Sequence, residues 1–313
     1  MAIDGTRSLD TFNTISAATI SVQNPVNVPT PTNLSCCEDC SLLVLADNTG
    51  NATSNDISTV IWWFNTTTTA AVLTLQKVVS GAWVTKKTIS DNTYGTYNAY
   101  GFYTNSENQN FVSFKINWAN VLNDSSLGAG AYRVVCTYTD PIFGNGTVNS
   151  YIFCLKPYTP QIADGTVRLE YTLSGTTADI TNDTLVKDYG TLEVYNQIRV
   201  NGYFGYAKTP YVSEYVETVL GQQLFVEDRA NIQYECELLM LPEWIHAILR
   251  IDFMMADSLA ITDYNSMNNA SYVTKYVIKD SEYSPNYYQL QSMNAPVQLK
   301  FKPANNRTRK FRS

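Results

Sequence analysis

The stretch that decides the fold begins VYNQIRVNGYFGY (194–206), continues VETVLGQQLFVEDRANIQYECELLMLPEWIHAILR (216–250) and closes IDFMMADSLAITDYN (251–265). Its first part is β-rich over Thr191–Val200 and breaks at a turn marked by Asn201, Gly202 and Gly205. A long strand pattern follows over Gln222–Leu239. Alternation places Glu235 and Glu237 on one face, with Tyr234, Cys236 and Leu238 on the other, as in a half-buried strand. Pro242 then opens the one convincing helix, 242–250. Trp244, Ile245, Ile248 and Leu249 gather on one apolar side of it, so it reads as a plug against a sheet.

Composition extends the β reading to the whole chain of 313 residues. Charged residues make up only 16%, and the 22 tyrosines accompany many Thr and Asn, the mixture of strands joined by polar turns. That length allows two domains, each with a core of its own. Between Ser41 and Leu155 lie seven strand candidates: SLLVLA, STVIWWF, AVLTLQKV, AWVTKKTI, QNFVSFKINWANVL, AYRVVCTYT and VNSYIFCL. Their spacing predicts an immunoglobulin-like β-sandwich over 41–156, in architecture only, because the Cys–Trp–Cys framework is missing. KPYTP (156–160) reads as a stiff hinge. Beyond it, strands near 166–173, 191–200, 210–219, 222–240, 250–263, 271–279 and 296–302 predict a second sandwich, jelly-roll-like, over 161–303. Residues 1–40 read as an extended, proline-spaced arm that lies over another surface or lends an edge strand to the second domain. Residues 304–313 form a basic tail.

Charge and targeting signals narrow the function classes. The net charge is −7, yet the last fourteen residues carry six basic groups and no acid, so the rest is strongly acidic. An acidic body argues against general nucleic-acid binding, whereas the tail is suited to an acidic neighbour or is simply solvated. No apolar run is long enough for a membrane helix, and no signal-peptide pattern opens the chain, which predicts a soluble protein made in a cytosol.

Reaction chemistry is thinly represented. The single histidine, His246, has no nucleophile motif beside it, and phosphate-cradling glycine loops are missing. A carboxylate pair for glycoside hydrolysis could come from any two strands, but the acids are scattered on polar strand faces. Cys37 and Cys40 have the spacing of a zinc knuckle, and Cys136 and Cys154, on consecutive predicted strands, could complete a four-thiolate site. Free, partly buried thiols or disulfides are the competing readings, and no cofactor is expected. Tyr94, Tyr97, Tyr100 and Tyr103, with Trp62, Trp63 and Trp83 nearby, could form an exposed sugar-stacking platform or a subunit interface. Trp62 and Trp63 are adjacent and must face opposite ways, so at least one belongs in the core.

Taken in order, VYNQIRVNGYFGY, the 222–240 strand, LPEWIHAILR, MMADSLAITDYN and the basic C-terminal strand resemble a domain in virion structural proteins of crAss-like and related Bacteroides tailed phages. The resemblance covers about half the chain and contains no catalytic signature. It implies a non-enzymatic ring or collar protein of the neck or tail, assembled as a cyclic homo-oligomer, twelve-fold to match a portal. Implied neighbours are the portal and other ring proteins, with genomic DNA passing through the lumen unbound. In that setting Arg307, Arg309, Lys310 and Arg312 are expected to meet an acidic patch on an adjacent subunit. A head or tail fibre, or a carbohydrate-binding adhesin, is the alternative.

Overall fold

The computed structural model describes residues 12–14, 41–47, 55–64, 68–98, 110–142, 144–173, 193–205, 208, 211–230, 232–268, 272–286 and 294–304. The chain is mainly β. Its first region contains β1 (Phe12–Thr14), β2 (Ser41–Ala46), β3 (Ile57–Phe64), β4 (Ala70–Val79), β5 (Ala82–Ile89), β6 (Gly95–Asn98), β7 (Asn110–Asn117), β8 (Gly130–Thr139), β9 (Gly146–Asn149) and β10 (Ile152–Pro157). Two short helices, α1 (Trp118–Asn123) and α2 (Pro160–Ala163), interrupt and close it. Each begins on a local signal. The Asn117 side chain accepts from the Ala119 N–H, ending as a helix the segment expected to continue as strand; Thr159 caps α2, with Pro160 in the first turn. The β4–β5 connection is a two-residue turn, Ser80 and Gly81, both at positive φ, as a tight hairpin requires.

These strands form two sheets. One has the order β1-β3-β7-β6; the other runs β2-β10-β8-β4-β5, with β9 added on β8. They meet through apolar side chains, including Phe64 of β3 against Tyr138 of β8 at 5.5 Å and Trp118 against Phe153 at 5.0 Å. Trp62 is fully buried there, as one of the two adjacent tryptophans had to be. The described part of the arm, β1, pairs parallel with β3, so it extends the first region and not the second.

The second region holds β11 (Thr166–Leu173), β12 (Val194–Phe204), β13 (Tyr211–Glu217), β14 (Gln223–Ala230), β15 (Tyr234–Pro242), β16 (Ser258–Asp263), β17 (Lys275–Lys279) and β18 (Asn294–Pro303). In place of the expected jelly-roll, six of these close on themselves: β11-β16-β17-β18-β15-β12 and back to β11, every pairing antiparallel. Closure removes the sheet edges that a sandwich leaves open. Strand alternation fills the barrel: on β18, Ala295, Val297, Leu299 and Phe301 are buried while intervening residues face out. The expected helix is present as α3 (Glu243–Ile248), continued by a π turn over Leu249–Phe253. That turn carries Phe253 between Tyr171 of β11 and Phe301 of β18, at 6.1 Å from each, so the plug enters the barrel interior.

Hydrogen bonding does not stop at the KPYTP segment. β10 pairs parallel with β2, and β2 touches β12 where Leu43 faces Arg199, so the barrel and the larger sheet of the first region form one twelve-stranded sheet. One buried apolar cluster accordingly extends from Leu42 to Phe301. Beyond the barrel, β12 and β15 continue pairing outward through Lys208 and Gln233 into β13 and β14, a two-stranded hairpin that pairs with no other described strand.

Candidate functional site

The most polar buried constellation lies where β3 meets the outer wall of the barrel. On β11 and β12, Val167, Leu169, Ile198 and Val200 are part of the apolar cluster. Alternation therefore turns Arg168, Glu170, Gln197 and Arg199 the other way. Asp56, immediately before β3, lies against them and is almost fully buried. Its two carboxylate oxygens accept from Arg199 Nε and Nη2, both at 2.8 Å, and one also accepts the Leu45 N–H at 2.8 Å. Arg199 donates its remaining Nη1 to Thr166 Oγ1 at 3.0 Å, and its guanidinium lies 4.2 Å from the Tyr264 ring centroid. Burial by itself would lower the Arg199 pKa. The Asp56 carboxylate and Tyr264 together outweigh it, so the net shift is upward.

Arg168 links the same carboxylate, at 3.6 Å, to Glu170, at 2.9 Å. Glu170 accepts further from Tyr195 at 2.6 Å and Gln197 at 3.2 Å. Gln197 Oε1 accepts the Ile57 N–H, Asn196 Oδ1 accepts the Thr59 N–H, and the Thr59 hydroxyl donates to the Tyr195 carbonyl at 2.5 Å. Both acids are thus charge-paired and hydrogen-bonded from several sides. Chemically, the cluster is an ionic lock joining β3 to the barrel.

A cavity of about 510 Å³ opens beside the β2–β12 junction, at the foot of the β12–β15 ribbon that leads out to the β13–β14 hairpin. Leu43, Leu239, Met240, Leu241 and Ile245 give it apolar walls, with Lys156, Asp164, Cys154 and Arg199 among its polar or sulfur-bearing ones. Its apolar rim comes from an irregularity in β15: the pairing with β18 shifts register between Leu238 and Leu241. Leu239 and Met240 are left 39% and 49% exposed, with Met240 held at a left-handed φ of 36°.

The residues singled out in the sequence fall elsewhere. Cys136 and Cys154 do not come together. β8 and β10 do pair, but Cys154 stands opposite Ala131, five positions from Cys136, so the two sulfurs occupy opposite faces of the sheet. Cys136 is a free thiol whose burial pushes its pKa up, while Cys154 is disulfide-bonded and therefore no thiolate ligand. Cys37 and Cys40 lie outside the described residues. Among the described residues, no cluster of three or more His, Cys, Asp or Glu side chains is arranged to hold a metal.

Tyr94 and Tyr97 do not form an exposed platform. Both pack against the core, Tyr94 donating to Asp124 at 2.6 Å and Tyr97 sitting opposite Phe114 in the β6–β7 pairing. β6 was missed in the sequence because its four residues are too few to show a period. Tyr100 and Tyr103 lie outside the described residues, as do Arg307, Arg309, Lys310 and Arg312. Trp83 stacks under the Arg133 guanidinium at 4.4 Å. His246 is fully buried in α3, its ring nitrogens 2.7 Å from the Tyr283 hydroxyl and 2.9 Å from the Ala295 carbonyl, and burial lowers its pKa.

Sequence reasoning missed the lock and the cavity. The signal for the lock was present: Arg168 and Glu170 alternate with Val167, Leu169 and Tyr171, and Arg199 stands between Ile198 and Val200. No helix among the described residues is long and apolar enough to cross a membrane. Comparison with protein-family models, with curated proteins and with solved structures finds no match to this chain.

Proposed function

We propose that this chain is a structural, non-enzymatic component of a tailed-phage virion: a ring or collar protein of the neck or tail that assembles as a cyclic homo-oligomer beneath the portal. The observation that carries the reading is the projecting β13–β14 hairpin. A two-stranded hairpin is marginal in water by itself, and this one ends in Val219 and Leu220, 105% and 87% exposed. Such an element is suited to reach across to a neighbour. The body behind it fits the same role, because the barrel has no open edge and the ionic lock ties it to the first region, giving a stiff unit for a closed assembly.

In this reading the two facing sheets of the first region are an immunoglobulin-like sandwich turned outward. The basic tail, with Arg307, Arg309, Lys310 and Arg312, docks on an acidic patch of an adjacent subunit or ring. The acidic balance of the remaining chain lets DNA pass without adhering. Twelve-fold symmetry follows from matching a portal, and the place of residence is the virion.

The test is electron microscopy of the purified chain, alone and mixed with its portal, with native mass on the same samples. Closed rings with a central hole support the reading. A monomer or trimer that forms no ring on either sample overturns it and favours a fibre or adhesin.

A further inference from the structure

We propose that the Val219–Leu220 tip of one copy seats in the cavity at the hairpin root of the next copy, so that neighbouring subunits join head to tail through two different surfaces. The proposal deepens the ring reading and rests on it for the closure of the chain of contacts. Four observations carry it.

The tip is apolar and fully in water: Val219 and Leu220 occupy the turn between β13 and β14, with Gly221 at φ 75° completing it. The groove is apolar where it is most open. The irregular segment of β15 turns Leu239 and Met240 outward, and Met240 keeps a backbone conformation that an unbranched L residue adopts at a cost. Backbone strain of that kind clusters at ligand clamps and binding surfaces. Charge also matches. Glu217 stands beside the tip, its carboxylate 4.0 Å from the position a Cβ on Gly221 would take, while Lys156 lines the groove and makes no ion pair with a described acid. The other charged lining groups are occupied within the chain, Asp164 by Ser266 at 2.8 Å and Arg199 by Asp56.

Reach excludes the chain's own groove. Val200, Asn201 and Leu239 line the cavity at the root, whereas the tip lies beyond the Gly202–Leu238 pair, the Lys208–Gln233 bridge and all of β13. At ~3.3 Å per residue, β13 alone carries the tip about 20 Å past the bridge. The occupant that presents this tip is therefore a second copy. Contacts between two unlike surfaces repeat from copy to copy and close into a ring when the rotation permits.

The test uses the full chain with a photo-crosslinking amino acid in place of Leu220, mixed as isotopically light and heavy copies, so that only links between copies carry both labels. Mixed-label links from position 220 to the segment 239–245, or to Lys156, are expected even where association is weak. Links confined to one label, or mixed links landing elsewhere, overturn the inference. In parallel, Leu220→Asp, an exposed position whose change leaves the fold intact, should raise the concentration needed for assembly by about tenfold or more. Glu217→Lys should weaken assembly, and adding Lys156→Glu should restore it. Rings that persist unchanged in Leu220→Asp refute the tip-and-groove contact while leaving the ring reading standing. If the native chain shows no rings with or without portal, the ring reading fails, and the crosslinking result still decides the contact.

Discussion

Replacing Asp56 by Ala removes the centre of the ionic lock, and the structure fixes how much that should cost. Arg199 has no exposed side-chain surface, and both its hydrogen bonds to Asp56 are 2.8 Å long. It stays charged after the substitution, because a guanidinium does not lose its proton in a protein. Leaving such a charge buried without its partner costs about 3–5 kcal/mol, and the orphaned Leu45 N–H adds roughly 1 kcal/mol. With a urea m value of about 3 kcal/mol/M for a chain this size, the midpoint should drop by roughly 1–2 M. The assay is equilibrium urea unfolding at pH 7, followed by fluorescence of the buried Trp62 and Trp118. Replacing the pair together, Asp56→Leu with Arg199→Met, should recover most of the loss and leave about 1–2 kcal/mol, since an apolar pair carries no buried charge. A cost below about 1 kcal/mol for Asp56→Ala would refute the assignment. So would single substitutions at Asp56 and Arg199 whose effects add within about 0.5 kcal/mol, because partners in one network do not behave independently.

Other expectations are simpler to read. His246 is the single histidine, and burial depresses its folded pKa; below about 6.5 the unfolded chain therefore binds a proton that the folded chain refuses, and stability falls as pH drops from there toward 5. The slope cannot exceed about 1.4 kcal/mol per pH unit, and urea midpoints of His246→Gln across pH 5–7 should be flatter than those of the native chain. A Cβ at Gly202 would lie 2.4 Å from the Glu237 carbonyl across the β12–β15 pair, so Gly202→Ala should cost about 2–4 kcal/mol in the same assay. Alkylation of the unfolded, unreduced chain should label Cys136 and Cys236 but spare Cys154, as peptide mass spectrometry will show; an alkylated Cys154 contradicts its disulfide. Removing 305–313 should impair assembly without moving the unfolding midpoint, because β18 ends at Pro303, opposite Val277; intact assembly after that truncation removes the role given to the basic tail.

Local signals carried much of the architecture. SLLVLA and AWVTKKTI match β2 and β5 residue for residue, and the helix after Pro242 stands where its apolar side placed it. What escaped depends on pairing over long separations. Closing the barrel requires β11 to meet both β12 and β16, and no window of sequence distinguishes that closure from two facing sheets, because each strand alternates in the same way either way. The ionic lock joins residues 143 positions apart. The cysteine pairing failed on parity: adjacent strands were inferred, but a shift of one residue in register exchanges the faces, and only the structure supplies it. Of the candidate sites, the hairpin strands were legible, whereas the exposed tip gained its meaning from the cavity at its root, whose rim is a register shift with no sequence signature.

The position of β2 has a consequence for the order of events during synthesis. Residues 41–46 leave the ribosome early, but their neighbours are β10 and then Arg199 of β12, about 110 and about 155 residues later. At the usual elongation rate of roughly 5–20 residues per second, that strand waits about 5–20 s with both edges open and about 8–30 s before its second edge is covered. Folding of the first region is therefore not a completed act that the second region builds upon. The nascent chain must hold an apolar strand in reserve until most of the protein exists, which makes its maturation slow, dependent on holding chaperones, and sensitive to any truncation upstream of β12.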